Sequence, residues 1–157
     1  GSFNEDIDVL LTHGHAEQLS LYGQQALQLP SNLQLLSIPF VSQDEYDWVL
    51  SQCDFNIVRG EDSFVRAQLV GKPFIWHIYP QEDRAHEVKL AAFLDLYLEE
   101  ANQELRLAII AAMTWAMPNE WFSLLDQWSA YAKRWRGLLL QKQGDGGLAA
   151  RLLRFAS

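Results

Sequence analysis

The sequence predicts an α/β fold: a parallel sheet covered by helices on both faces, followed by a half that is mostly helix. Three observations predict it. Short apolar runs alternate with stretches of helical spacing up to Pro80. The connections between them are short, which implies right-handed crossovers and parallel strands. The two central runs, FNIV and PFIWHIY, are apolar without alternation, as strands are when both faces are covered.

The elements follow in order. DIDVLLTHG (6–14) is the first strand and ends at Gly14. AEQLSLYGQQAL (16–27) carries Leu19, Tyr22 and Ala26 at helical spacing, and Leu29-Pro30-Ser31-Asn32 closes it with turn chemistry. LQLLSIPF (33–40) is the second strand. SQDEYDWVLSQC (42–53) is a helix with Ser42 as N-cap and acids in its first turn, where they complement the dipole. DFNIV (54–58) is the third strand. DSFVRAQLVG (62–71) is a helix stopped by Gly71, with Pro73 two residues on. PFIWHIYP (73–80) is the fourth strand. Beyond it, 82–101, 102–117, 119–143 and 146–156 all have helical periodicity. Trp121, Trp128 and Trp135 fall seven apart and form one stripe, read as core or interdomain packing, with Lys133, Arg134 and Arg136 as a solvated face.

The totals bound the function. A chain of 157 residues suits one domain, and 49% hydrophobic with 20% charged residues is ordinary for a soluble globular protein. A net charge of -8 argues against a nucleic-acid surface but leaves room for a local phosphate site. Cys53 is the single cysteine, so no internal disulfide forms, and a bacterial or eukaryotic cytoplasm is the expected compartment. No run reaches the roughly 18 to 20 apolar residues of a membrane span. Gly1-Ser2 without an initiator Met reads as the scar of a removed tag. That leaves 3–157 as the domain and raises the expectation of a longer parent.

Open α/β sheets bind ligands outside the carboxyl ends of their strands. RGEDS (59–63) occupies such an end, where the third strand hands over to a helix. Free N–H groups and the helix dipole suit phosphate there. Gly60 lets backbone approach a ligand, Ser63 supplies a hydroxyl, and Arg59 supplies a planar fork for phosphate oxygens. Glu61 and Asp62 suit a phosphate less well. They fit better as acceptors for sugar hydroxyls, as a cap, or as partners of a developing cation. The plainer reading is a capped turn in which Asp or Ser closes the helix and Arg59 pairs with an acid. Tyr79 and Gln81, at the end of the fourth strand, either line the same cleft or form a turn with Asp83 capping the next helix. Tyr46, near a helix start, either stacks on a nucleobase or packs as an ordinary aromatic. His13 and His15 lack a third ligand close in sequence, so a metal site is not expected. Cys53 reads as a buried structural thiol.

Taken together, RGEDS, GKPF and IYPQ at these spacings closely resemble the carboxyl-terminal domain of the EarP family, bacterial protein-arginine rhamnosyltransferases that modify translation elongation factor P. The signature runs over roughly residues 33 to 95. The resemblance implies a GT-B architecture, in which two Rossmann-like domains face each other and this chain is the donor-binding one. It implies a dTDP-β-L-rhamnose donor, inversion at the anomeric carbon without a metal, and an acceptor arginine on elongation factor P approached mainly by the other domain. By the same resemblance Arg59, Asp62 and Ser63 match the diphosphate loop and Glu61 the catalytic glutamate. Tyr46 matches an aromatic against the thymine, Gln43 a base-contacting position, and Tyr79 and Gln81 a family motif of less defined role. The family's general-base aspartate lies in a glycine-rich loop with no counterpart here. Binding without efficient turnover is therefore expected. Other readings are the nucleotide-sugar domain of a different GT-B enzyme, or a non-enzymatic interaction domain using the tryptophan stripe.

Overall fold

The computed structural model of the protein describes residues 6–12, 31–116 and 121–144. The stretches expected as helices at 16–27 and 146–156, the pair His13 and His15, and Gly1-Ser2 lie outside the described residues. The chain divides into two units, 1–46 and 47–157.

In the first unit, β1 (Ile7–Leu11) pairs in parallel with β2 (Leu33–Ser37), in register from Ile7 with Leu33 to Leu11 with Ser37. Both strands stop short of the apolar runs that define them. Pro39 has no N–H to donate to a ladder, and Phe40 is 89% exposed. Helix α1 (Gln43–Gln52), whose residues from Asp47 onward belong to the second unit, starts at a reciprocal cap. The Ser42 N–H donates to Glu45 Oε2 at 2.7 Å, and the Glu45 N–H returns a 3.3 Å bond to Ser42 Oγ. The N–H from Ser42, helped by its hydroxyl, holds the Glu45 carboxyl below its ordinary pKa.

The second unit contains β3 (Asn56–Val58), α2 (Glu61–Val70), β4 (Phe74–Trp76), α3 (Ala85–Tyr97), α4 (Gln103–Met113), a 3-10 turn (Trp121–Leu124) and α5 (Leu125–Gly144). β3 and β4 are parallel neighbours joined through α2, with Asn56, Ile57 and Val58 opposite Phe74, Ile75 and Trp76. Backbone bonding thus sorts the four described strands into two parallel pairs, where the sequence suggested one sheet. All three β4 residues are buried, as a continuous apolar run requires, whereas Ile57 of β3 is 58% exposed.

An aromatic cluster fills the core. Phe64, Phe74, Trp76, Phe93 and Tyr97 are buried and linked by edge, tilted or stacked contacts, each contributing on the order of 1.5–3 kcal/mol by burial alone. Trp128 donates its indole N–H to the Tyr97 hydroxyl at 3.1 Å, and Trp135 donates to Gln68 Oε1 at 3.1 Å. Burial pushes the Tyr97 phenol upward in pKa. Trp128 and Trp135 are therefore core, as their spacing suggests, and are not a free contact surface. Of the cations beside them, Lys133 stays on the exposed face, Arg134 pairs with Glu100, and Arg136 donates to the Leu69 carbonyl at 2.7 Å. Cys53 is only partly buried, contrary to expectation. Burial, then the neighbouring Asp54, raises its thiol pKa. Helix α4 stops before 117 because Trp115 turns into the left-handed region at φ 59. None of the described helices is long and apolar enough to cross a membrane.

Candidate functional site: the start of helix α2

The β3 strand ends at Val58, and α2 begins three residues later. Gly60 is the N-cap, with extended backbone and no side-chain cap. The first intrahelical bond runs from the Phe64 N–H to the Gly60 carbonyl at 2.9 Å. Helix geometry therefore gives the N–H groups of Glu61, Asp62 and Ser63 no acceptor within the helix. The turn that Asp62 or Ser63 would cap does not form. Neither side chain closes the helix, because both lie inside its first turn rather than ahead of it.

Among the described residues Arg59 pairs with no acid. Its guanidinium lies over the Tyr79 ring at 4.0 Å. Its Nε is buried and has no partner among the described residues. The stretches that follow β3 and β4 thus bring Arg59 and Tyr79 together. Gln81 lies in the turn that follows. Its N–H donates to His86 Nδ1 at 2.9 Å, and its carbonyl accepts from the Arg84 N–H at 3.0 Å. Asp83 Oδ1 accepts from the Ala85 N–H at 3.0 Å, so Asp83 stands near the start of α3, as the plainer reading has it, while the N-cap itself is Arg84 and its side chain makes no cap.

The two acids separate. Glu61 is partly buried and Asp62 is exposed. Asp62 accepts a 2.8 Å bond from Arg66 Nε, and Arg66 reaches on to Asp47 Oδ2, also at 2.8 Å. These two carboxylates, Asp62 first, hold the Arg66 guanidinium even more firmly protonated than usual. Arg66 escapes a reading by motif. Its four-residue spacing from Asp62 is visible in the sequence, but Asp47 is not. Trp76 is likewise missed, because an apolar strand hides its polar atom; its indole N–H donates to the Arg59 carbonyl at 3.0 Å. Gln43 and Tyr46 lie in the first turn of α1, within the first unit; Gln43 is exposed and Tyr46 partly buried.

The fold and this loop define an α/β domain with an anion-receptive helix start at the carboxyl edge of a parallel strand pair. The profile of the family described as elongation factor P (EF-P) rhamnosyltransferase EarP matches residues 4–157. The chain belongs to the EarP family. It is 42% identical over 135 residues to a protein-arginine rhamnosyltransferase of Pseudomonas aeruginosa, covering 78% of this chain and 34% of that one. It is 49% identical over 107 residues to one of Shewanella oneidensis, covering 68% and 25%. A solved structure described as the structural basis for EarP-mediated arginine glycosylation of translation elongation factor EF-P superimposes with a TM-score of 0.70 at 31% identity. That match covers 98% of this chain and 52% of the other. The chain thus spans about half of that solved chain and a smaller share of the curated relatives.

Proposed function

We propose that this chain is the donor-binding domain of a GT-B protein-arginine rhamnosyltransferase of the bacterial cytoplasm. It holds dTDP-β-L-rhamnose while a second, acceptor-binding domain presents an arginine of translation elongation factor P. The observation that carries this reading is the open start of α2. Its N–H groups lack intrahelical acceptors, and Arg59 stands beside them with its fork stacked on Tyr79.

In an inverting transfer, a guanidinium nitrogen of the acceptor attacks the anomeric carbon from the face opposite the diphosphate. The carbon–oxygen bond breaks, dTDP leaves with the electron pair, a carbon–nitrogen bond forms, and the nitrogen gives up a proton to a base. The leaving diphosphate gathers negative charge, which the N–H groups of residues 61–63 and the Arg59 guanidinium are suited to stabilise without a metal. Glu61, partly buried beside them, suits the positive charge that develops on the sugar or the incoming guanidinium. The Asp62 carboxylate is neutralised by Arg66, which lessens its repulsion of a phosphate. Ser63 adds a hydroxyl, and Gly60 leaves the backbone bare. Tyr46 and Gln43 are assigned to the thymine base, and Tyr79 and Gln81 to the cleft wall.

Calorimetric titration of the chain with dTDP, UDP, GDP and ADP tests this. dTDP is expected to bind best, and Arg59→Ala to weaken it by about 1–3 kcal/mol without lowering thermal stability. Absence of heat and of thermal shift with dTDP would sink the reading. Tighter binding of another nucleotide would move the domain to a different donor.

A further inference from the structure

Trp76 touches both sides of the loop. Its indole N–H donates to the Arg59 carbonyl at 3.0 Å, and its ring stacks on Phe64 with centroids 3.9 Å and planes 20° apart. The residue is 2% exposed. Its backbone N–H points at Met113 Sδ at 3.1 Å, and Phe93 meets its ring edge-on at 6.2 Å. A side chain held on so many sides has little freedom to follow the loop, so the loop follows it. Phe64 closes the first helical bond onto the Gly60 carbonyl. One indole therefore fixes the residue before and the residue after positions 60–63.

The orientation of one peptide follows. In a trans peptide the C=O and N–H point in opposite directions, and the described residues hold no cis bond. With the Arg59 carbonyl turned onto Trp76, the Gly60 N–H is turned away from the buried indole. As the N-cap N–H it belongs, with those of residues 61–63, to the four that have no intrahelical acceptor.

Resting on the donor reading above, we infer that Trp76 is a positioning residue for the diphosphate of a nucleotide sugar. Its indole N–H sets the Arg59–Gly60 peptide plane so that the Gly60 N–H faces the ligand. Trp76 does not touch the ligand; it acts through the peptide it holds. Without that N–H, the Arg59 carbonyl loses its partner and the peptide is free to rotate.

Two variants separate the hydrogen bond from the packing. Trp76→Phe keeps an aromatic ring against Phe64. Replacement of Trp76 by β-(3-benzothienyl)alanine keeps the bicyclic shape and removes only the N–H. Both are expected to bind dTDP about 3- to 10-fold more weakly than the unmodified chain by calorimetry. In amide NMR spectra, the Gly60 resonance of the free isostere is expected to be displaced and its dTDP-induced shift reduced. A purely structural role would lower the unfolding temperature without moving that resonance. An isostere that binds dTDP like the unmodified chain, with Gly60 unmoved, overturns this inference alone. An unmodified chain that ignores dTDP overturns the donor reading and this inference with it.

Discussion

At the carboxyl end of α2, Gly71 has φ +74°, and a Cβ built there would lie 2.7 Å from Arg136 Cδ. At the amino end, Gly60 has φ -73°, and a Cβ built there would meet nothing within 4 Å. The fold demands the first glycine twice, through a left-handed backbone and through a side chain packed over it. It demands the second in neither way. The carbonyls of the far end are covered from within, since Arg136 donates to Leu69, whereas the near end has no side-chain cap at all. One helix thus has a finished end and an open one, and the open one lies beside Arg59, Tyr79 and Glu61. What the chain leaves unfinished is where its chemistry is most economically sought.

Three substitutions break or sharpen that contrast. The largest effect is expected at the finished end. Trp135→Ala should cost about 3–5 kcal/mol in urea unfolding, because it opens a core cavity and strands Gln68 Oε1 without its donor. Next, Gly71→Ala should cost about 1–2 kcal/mol for the left-handed backbone, and more to the extent that Arg136 must shift, while the folded protein keeps its dTDP affinity. Smallest in stability is Gly60→Ala, expected at under about 1 kcal/mol, since the site is roomy and the backbone ordinary. Its loss of dTDP affinity should exceed its loss of stability. Equal losses, or an unfolded Gly60→Ala protein, would erase the difference between the two ends.

What could be read in advance follows the range of the interaction. The stop at Gly71 was legible because glycine followed by Pro73 is local chemistry. Arg136, which covers it, comes from α5, and no spacing announces it. The continuous apolar run of β4 announced its own burial, and the seven-residue spacing of Trp128 and Trp135 announced theirs. Ile57 broke that pattern, for it stands in an equally apolar run and is 58% exposed. At the site, residues 59–63 stood out as polar residues in an apolar setting. The partner of Arg59 did not. An arginine next to two acids suggests an ion pair, yet helix geometry sends Asp62 toward Arg66 and leaves Arg59 to the Tyr79 ring. Trp76 was invisible for a related reason, since its single polar atom is outnumbered by an apolar ring.

Arg66 also bears on rates. It bonds Asp62 in the first turn of α2 and Asp47 in α1, two helices that meet in one guanidinium. Partly exposed bridges of this kind add little to global stability. Their effect is on when freedom is lost. A first turn fastened to its neighbour gives up its mobility as the chain folds, so little remains to be given up when a ligand arrives. Under the donor reading proposed above, association would then be set by encounter and orientation, and differences among nucleotides would be expressed in how long each one stays.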